Sequence, residues 1–156
     1  MNAKTETQSF SIEWDLPHAP KKVWRALTEP ALLAKWLMST DMQLALGTSF
    51  TFQAPSSPQW DGKVNCTMQE IEPQKRLRYS WAGGGLEGTV VTWTLTATST
   101  GGTLLRLEHA GFKAGQKEAR FFEGAKQGWQ FMGGKRLIDV LSEMTVLSEI
   151  QSEESA

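Results

Sequence analysis

From Met42 to Ala110 the apolar residues recur at every second position in short runs, and turn residues break the runs apart. A chain patterned this way is committed to half-buried strands with tight connections, which favours an antiparallel meander. Val64, Cys66 and Met68 share one face after the loop Pro55–Gly62, and Leu77, Tyr79 and Trp81 share the next after Glu72-Pro-Gln-Lys75. Gly83-Gly-Gly85 turns the chain into Val91, Trp93 and Leu95, and Ser99-Thr-Gly-Gly102 turns it into Leu105, Leu107 and His109. Ahead of these, Met42–Leu46 and Ser49–Phe52 flank Gly47 and are expected to pair as a hairpin.

The flanks read differently. Phe10, Ile12, Trp14 and Leu16 alternate with Ser11, Glu13 and Asp15, a strand that Pro17 closes. Pro20 and Pro30 each suit the first turn of a short helix, the first carrying Val23, Trp24 and Leu27 and the second Leu32, Leu33, Trp36 and Leu37. Beyond Gly111 and Gly115 the spacing changes to three and four through Phe122, Ala125, Trp129, Met132, Leu137, Val140, Leu141 and Met144. That pattern predicts one long amphipathic helix from Ala119 to Leu147. The order β-α-α-β6-α defines an α+β fold in which a curved antiparallel sheet and a C-terminal helix cover each other's apolar faces. With 156 residues in all, a single domain is expected over 9–148, with flexible tails at 1–8 and 149–156.

Composition narrows the partners. The net charge of −1 gives no electrostatic reason to approach a polyanion, so no nucleic acid is expected. No apolar run approaches the roughly 18 residues of a membrane span, so no membrane partner is expected and a cytoplasmic location follows by default. Cys66 is the lone cysteine, which rules out an internal disulfide and four-cysteine zinc sites. Neither a His-Glu-x-x-His pair nor a phosphate-binding glycine loop occurs, and no metal or cofactor is expected.

The run Pro20-Lys-Lys-Val-Trp-Arg-Ala-Leu-Thr-Glu-Pro-Ala-Leu-Leu-Ala-Lys-Trp36, the stretch from Gly62 to Trp81, and Gly128-Trp129 in the last helix together carry a likeness. The chain resembles the homologues of the activator of the ninety-kilodalton heat-shock protein ATPase, a family of the START-like (SRPBCC) superfamily. The resemblance implies the helix-grip fold of the birch pollen allergen, with a seven-stranded sheet gripping the last helix around an internal cavity. It also implies a choice of roles. Members or relatives bind lipids, polyketides and other apolar molecules, some cyclise polyketides, and the founding member stimulates a chaperone ATPase. Fold alone does not choose among them.

Strand parity puts Tyr79, Trp81, Trp93 and His109 on one face, opposite Phe122, Ala125, Trp129 and Met132 of the helix. Such a lining, mostly apolar with a few polar handles, suits a small-molecule pocket, and an ordinary filled core is the alternative. Between these faces Gly124 and Gly128 supply little volume, leaving room for a ligand or for close backbone approach, while Gly133-Gly134 is a candidate bend. In the pocket reading Trp81, Trp93 and Trp129 offer stacking surface, His109 is a polar anchor, and Phe112 with Trp36 or Trp60 forms the mouth. The expected function is binding of a small apolar or aromatic molecule. The alternatives are an interaction module for a chaperone partner, or a cyclase or hydrolase using His109 as base. A structural histidine, satisfied within the core, is the plainer reading of His109.

Overall fold

The structure is a computed structural model, and it describes residues 7–58, 61–83, 86–113 and 116–144. Strand β1 (Thr7–Leu16) leads into helices α1 (Pro20–Thr28) and α2 (Pro30–Trp36). Six strands follow: β2 (Ser39–Thr40), β3 (Ser49–Gln53), β4 (Lys63–Glu72), β5 (Arg76–Gly83), β6 (Leu86–Ala97) and β7 (Thr103–Lys113). After them come α3 (Gln116–Phe131), a π-helical turn over Met132–Arg136, and a further helical stretch over 137–144. All seven strands join one antiparallel sheet in the order β1-β7-β6-β5-β4-β3-β2. The meander thus starts at one edge, and β1 closes the other edge against β7.

Two local devices place the corner helices. Pro20 and Pro30 stand at helix starts, where a missing N–H costs nothing. Across the corner the Trp36 indole N–H donates to the Ala26 carbonyl at 2.8 Å, so α2 is tied to α1 by a buried side chain. Irregularities at Gln8/Ser9, Met68/Glu70 and Trp81/Gly83 interrupt the ladders, and such bulges increase local twist and bend the strands. Between β6 and β7, Gly111 adopts φ +94°, and a Cβ there would stand 2.7 Å from the Gly88 carbonyl oxygen. Only glycine tolerates both that backbone and that approach.

Two expectations about elements are corrected. Met42–Leu46 is not a strand: the pairing partner of β3 on that side is the two-residue β2, and residues 41–48 form a loop that buries Met42 and exposes Leu44 and Leu46. Apolar alternation over five residues does not distinguish a strand from a loop that tucks in one side chain. The last helix is also not uniform, because it changes to π geometry at Met132. Trp14, reaching across from β1, supplies the reason. A Cβ on Gly133 would fall inside the Trp14 indole, so the ring lies directly on the helix backbone there, and a wider turn accommodates it.

The two ends of the C-terminal helix are packed differently. Leu137, Val140, Leu141 and Met144 are buried in the same core as Val23, Leu27, Leu33 and Trp36. Toward the other end Trp129 is buried, while Gly124 and Phe131 are exposed and Phe122, Ala125 and Gly128 are half-buried. A Cβ added at Gly124 would meet nothing within 4 Å. Opposite outcomes follow for one substitution at two glycines. Gly133→Ala is expected to destabilise the fold by about 1–3 kcal/mol through overpacking against Trp14, and Gly124→Ala to stabilise it by about 0.5–1 kcal/mol through helix propensity. Urea denaturation of the two variants measures both.

Candidate functional site

Register builds the interior face. Tyr79 of β5 lies across from Val91 of β6, which lies across from His109 of β7, and Leu77, Trp93 and Leu107 form the next row. Trp129 descends from α3 between two of these rings, 5.1 Å from Trp81 and 5.5 Å from Trp93, centroid to centroid. The contact with Trp93 is edge-on, a favourable arrangement for ring quadrupoles. Phe10 and Phe112 stand against His109 and Phe122 packs on both of them, the three phenyl rings touching one another at 5.2–5.7 Å. Phe112 approaches the imidazole to 4.6 Å.

One hydrogen-bonded chain runs through this apolar mass. The Trp129 indole N–H donates to His109 Nδ1 at 3.1 Å, His109 Nε2 lies 3.0 Å from the Thr89 hydroxyl oxygen, and that hydroxyl donates to the Trp81 carbonyl at 2.6 Å. The donor assignments are forced from both ends. An indole nitrogen only donates, so Nδ1 must be the bare nitrogen; Nε2 therefore carries the proton and donates to Thr89. His109 is fully buried, and burial lowers its pKa to about 3, so the neutral tautomer is the one present near neutrality. Both ring nitrogens are occupied. The imidazole holds no free lone pair with which to take a proton from a substrate, which favours the structural reading of His109 over the general-base one.

A second pair is equally buried. The Trp93 indole N–H donates to the Tyr79 hydroxyl oxygen at 3.0 Å, and burial drives the phenol pKa upward despite that bond. Cys66 is buried beside β3 and β5, its thiol pushed up to about 12 by burial with a smaller contribution from the Asp41 carboxylate, so it is inert near neutrality. Among the described residues no group of three or more His, Cys, Asp or Glu is arranged to hold a metal ion. No described helix is long and apolar enough to cross a membrane.

The candidate residues fall into distinct places. Tyr79, Trp93, His109, Phe112 and Trp129 interdigitate as core. The expectation that Trp36 and Phe112 form the mouth is corrected for both. Trp36 is fully buried under α1, edge-on to Trp93 at 6.0 Å, and Phe112 is enclosed by Phe10, Phe122 and His109. Trp60 lies outside the described residues. Phe122, Ala125, Gly128 and Met132 remain half-buried, and Trp81 keeps 8% of its surface exposed against 1–2% for Trp93 and Trp129. Sequence reasoning misses Thr89 and Phe10 as partners of His109. A signal for them exists, because both share the inward parity of their strands, and an inward threonine near an inward histidine is a natural partner for it.

The sheet, the corner helices and the gripped C-terminal helix define the START-like helix-grip class. Residues 17–142 match the family described as Activator of Hsp90 ATPase homolog 1-like protein, and the chain belongs to that family. Protein MLL2253 of Mesorhizobium loti is 36% identical over 87% of this chain and 98% of its own, with a TM-score of 0.76. CalU16 of Micromonospora echinospora is 27% identical over 96% of this chain and 86% of its own, with a TM-score of 0.67. The Aha1 dimer of Colwellia psychrerythraea shares the fold at 16% identity, covering 84% of this chain and 97% of its own, with a TM-score of 0.65. No match is found among curated proteins.

The hydrogen-bonded histidine makes stability depend on pH. His109 is depressed when folded and ordinary when unfolded, so between about pH 6.5 and about 3 the unfolded chain binds the extra proton. Stability from this group is complete above that window. It is expected to fall as pH drops through the window, by at most about 1.4 kcal/mol per pH unit. Denaturant titrations at pH 7, 5.5 and 4.5, alongside an NMR titration in which the His109 ring signals stay unprotonated to pH 4.5, measure it.

Proposed function

We propose that the protein binds a small apolar or aromatic molecule between the sheet and the N-terminal half of the C-terminal helix. The observation that carries this reading is the bare helix surface beside Trp129. A Cβ at Gly128 would meet only the Met132 terminal methyl at 3.8 Å, one at Gly124 would meet nothing, and both glycines weaken the helix they occupy. Large rings stand nearby: Trp81, which keeps 8% of its surface exposed, lies against Trp129, and Phe122 precedes both glycines in α3. Fold membership supports the reading, since START-like relatives use the same interval for apolar ligands. The buried Trp93–Tyr79 and Trp129–His109 pairs are the rigid floor of the site, and Trp81, Phe122, Ala125, Gly128 and Met132 are its contact surface.

The test is direct. N-phenyl-1-naphthylamine, a neutral apolar fluorophore, is expected to bind the wild-type protein, and Gly128→Leu to weaken that binding at least about tenfold by occupying the volume, since a buried leucine displaces more than about 1.4 kcal/mol of ligand contact. Circular dichroism of the variant should be unchanged. Equal affinity in the two proteins would contradict the assignment.

A second reading follows from the family's description, which names an activator of the Hsp90 ATPase. In that reading the domain docks on a chaperone through its exterior. A stoichiometric complex with purified chaperone, undisturbed by Gly128→Leu, would favour docking over ligand binding.

A further inference from the structure

The exterior of the sheet carries an unmet cation. Among the described residues, the buried side-chain nitrogen with no hydrogen-bond partner is Arg78 Nε, on the outward face of β5. In α1 an arginine has a carboxylate to itself, Arg25 meeting Glu29 through two contacts at 2.7 and 3.3 Å. On β5 one carboxylate, Glu70, serves two arginines. Arg76 Nε donates to Glu70 Oε1 at 3.1 Å, while Arg78 Nη1 lies 3.8 Å from the same oxygen, beyond hydrogen-bond reach. Among the described residues Glu72, opposite Arg76, and Glu108, across Thr92 from Arg78, make no ion pair with either arginine. The Arg78 side chain keeps 40% of its surface exposed, so it is within reach of a group arriving from solvent. A buried donor left unmet is rare in native structures, and an arginine in that condition gains most from a carboxylate or phosphate that accepts from Nε and a terminal nitrogen together.

Beside this arginine the same face is hollow. Ser80, two residues on along β5, borders a hollow of about 440 Å³ on the outer side of β3, β4 and β5, floored by Ser49, Thr51, Asn65 and Thr67. These side chains have the parity opposite to Phe50, Cys66 and Tyr79, so the sheet separates the hollow from the aromatic interior. Asp41 bounds the far side, where one carboxylate oxygen accepts the Thr51 N–H at 2.7 Å. Ser80 Oγ accepts the Thr67 N–H at 2.8 Å, where the β4–β5 ladder is irregular. From the unmet arginine and the hollow beside it we infer that the outer face of the sheet binds a small polyhydroxylated molecule carrying one carboxylate or phosphate, of the sugar-acid or sugar-phosphate class. The anionic group pairs with Arg78, and the hydroxyls lie over the serine, threonine and asparagine floor. Hydroxyls are required because every one of those floor side chains both donates and accepts. Charge sets the direction, since an anion is attracted at the Arg78 end and repelled at the Asp41 end, where a ligand hydroxyl donates to the carboxylate. This site is independent of the interior one.

Amide NMR titrations with glucose 6-phosphate, glucuronate, glucose and inorganic phosphate separate the parts of the site. Both charged sugars are expected to bind at least about tenfold tighter than glucose, the effect of one charge-assisted pair. They should also bind tighter than inorganic phosphate, with the Thr51, Thr67 and Ser80 signals moving. Arg78→Gln should remove the advantage of the charged sugars and leave glucose affinity nearly unchanged. Asn65→Val, which takes donor and acceptor from the floor, should lower the affinity of the charged sugars toward that of phosphate. A preference for one charged sugar over the other supports the inference and names its anion. Equal binding of glucose and the charged sugars would overturn it, as would inorganic phosphate binding as tightly as glucose 6-phosphate, or no binding by any of the four. A charge preference that survives Arg78→Gln and disappears in Lys63→Gln, the outward cation two residues from Asn65 on β4, would overturn the assignment to Arg78.

Discussion

The indole N–H of Trp129 meeting the bare nitrogen of His109 is the interaction on which the rest of the interior depends. It ties the weakly packed half of the C-terminal helix to the middle of the sheet at a depth where neither polar atom has access to water. Because the indole can only donate, it sets the histidine tautomer, and the tautomer sets the direction of every bond through Thr89 to the Trp81 backbone. A buried polar chain of this kind specifies one arrangement, since any shift of the helix would strand several groups at once. The same bond withdraws His109 from chemistry. A residue for which the sequence leaves a catalytic base as an alternative to the plainer structural reading is, in place, a fixed structural post.

Around that post the helix is held in two ways. Beyond the π-helical turn, Leu137, Val140, Leu141 and Met144 bury themselves in the core that α1 and α2 share. Before it, Trp129 is the buried anchor and the glycines give the sheet little to grip. Trp14, lying on Gly133, marks the changeover. The widened turn is therefore a packing consequence of one indole meeting one glycine, and it divides the helix into an anchored part and a part held mainly through the rings of Trp129 and Phe122.

Strand positions and facing are legible in the sequence because a period of two, sustained over so many successive runs, fits a pleated strand and little else. Tyr79, Trp81, Trp93 and His109 all point where parity puts them. Depth is not legible. Periodicity says which side of a strand a residue occupies and nothing about how far down the sheet it lies, so a mouth built from Trp36 and Phe112 is compatible with the sequence although both lie inside the core. The hairpin expected around Gly47 fails for a related reason, since Met42 is buried from a loop and mimics strand alternation. The glycines of the last helix are legible as an anomaly, yet they have separate causes. Gly133 is demanded by the Trp14 ring, whereas Gly124 faces open space and a Cβ at Gly128 would make only an ordinary contact with the Met132 terminal methyl, and only tertiary packing separates these cases.

The central claim is that the aromatic interior has a locked part and an open part, with Trp81 and Trp129 at the boundary and Trp36 deep in the locked part. The seven indole N–H resonances report on it residue by residue. On titration with fluorene, a ligand that makes no hydrogen bonds of its own, the account predicts that the Trp81 and Trp129 indole signals move while that of Trp36 stays in place. A spectrum in which no indole signal responds, or in which Trp36 moves as far as Trp81, would contradict it.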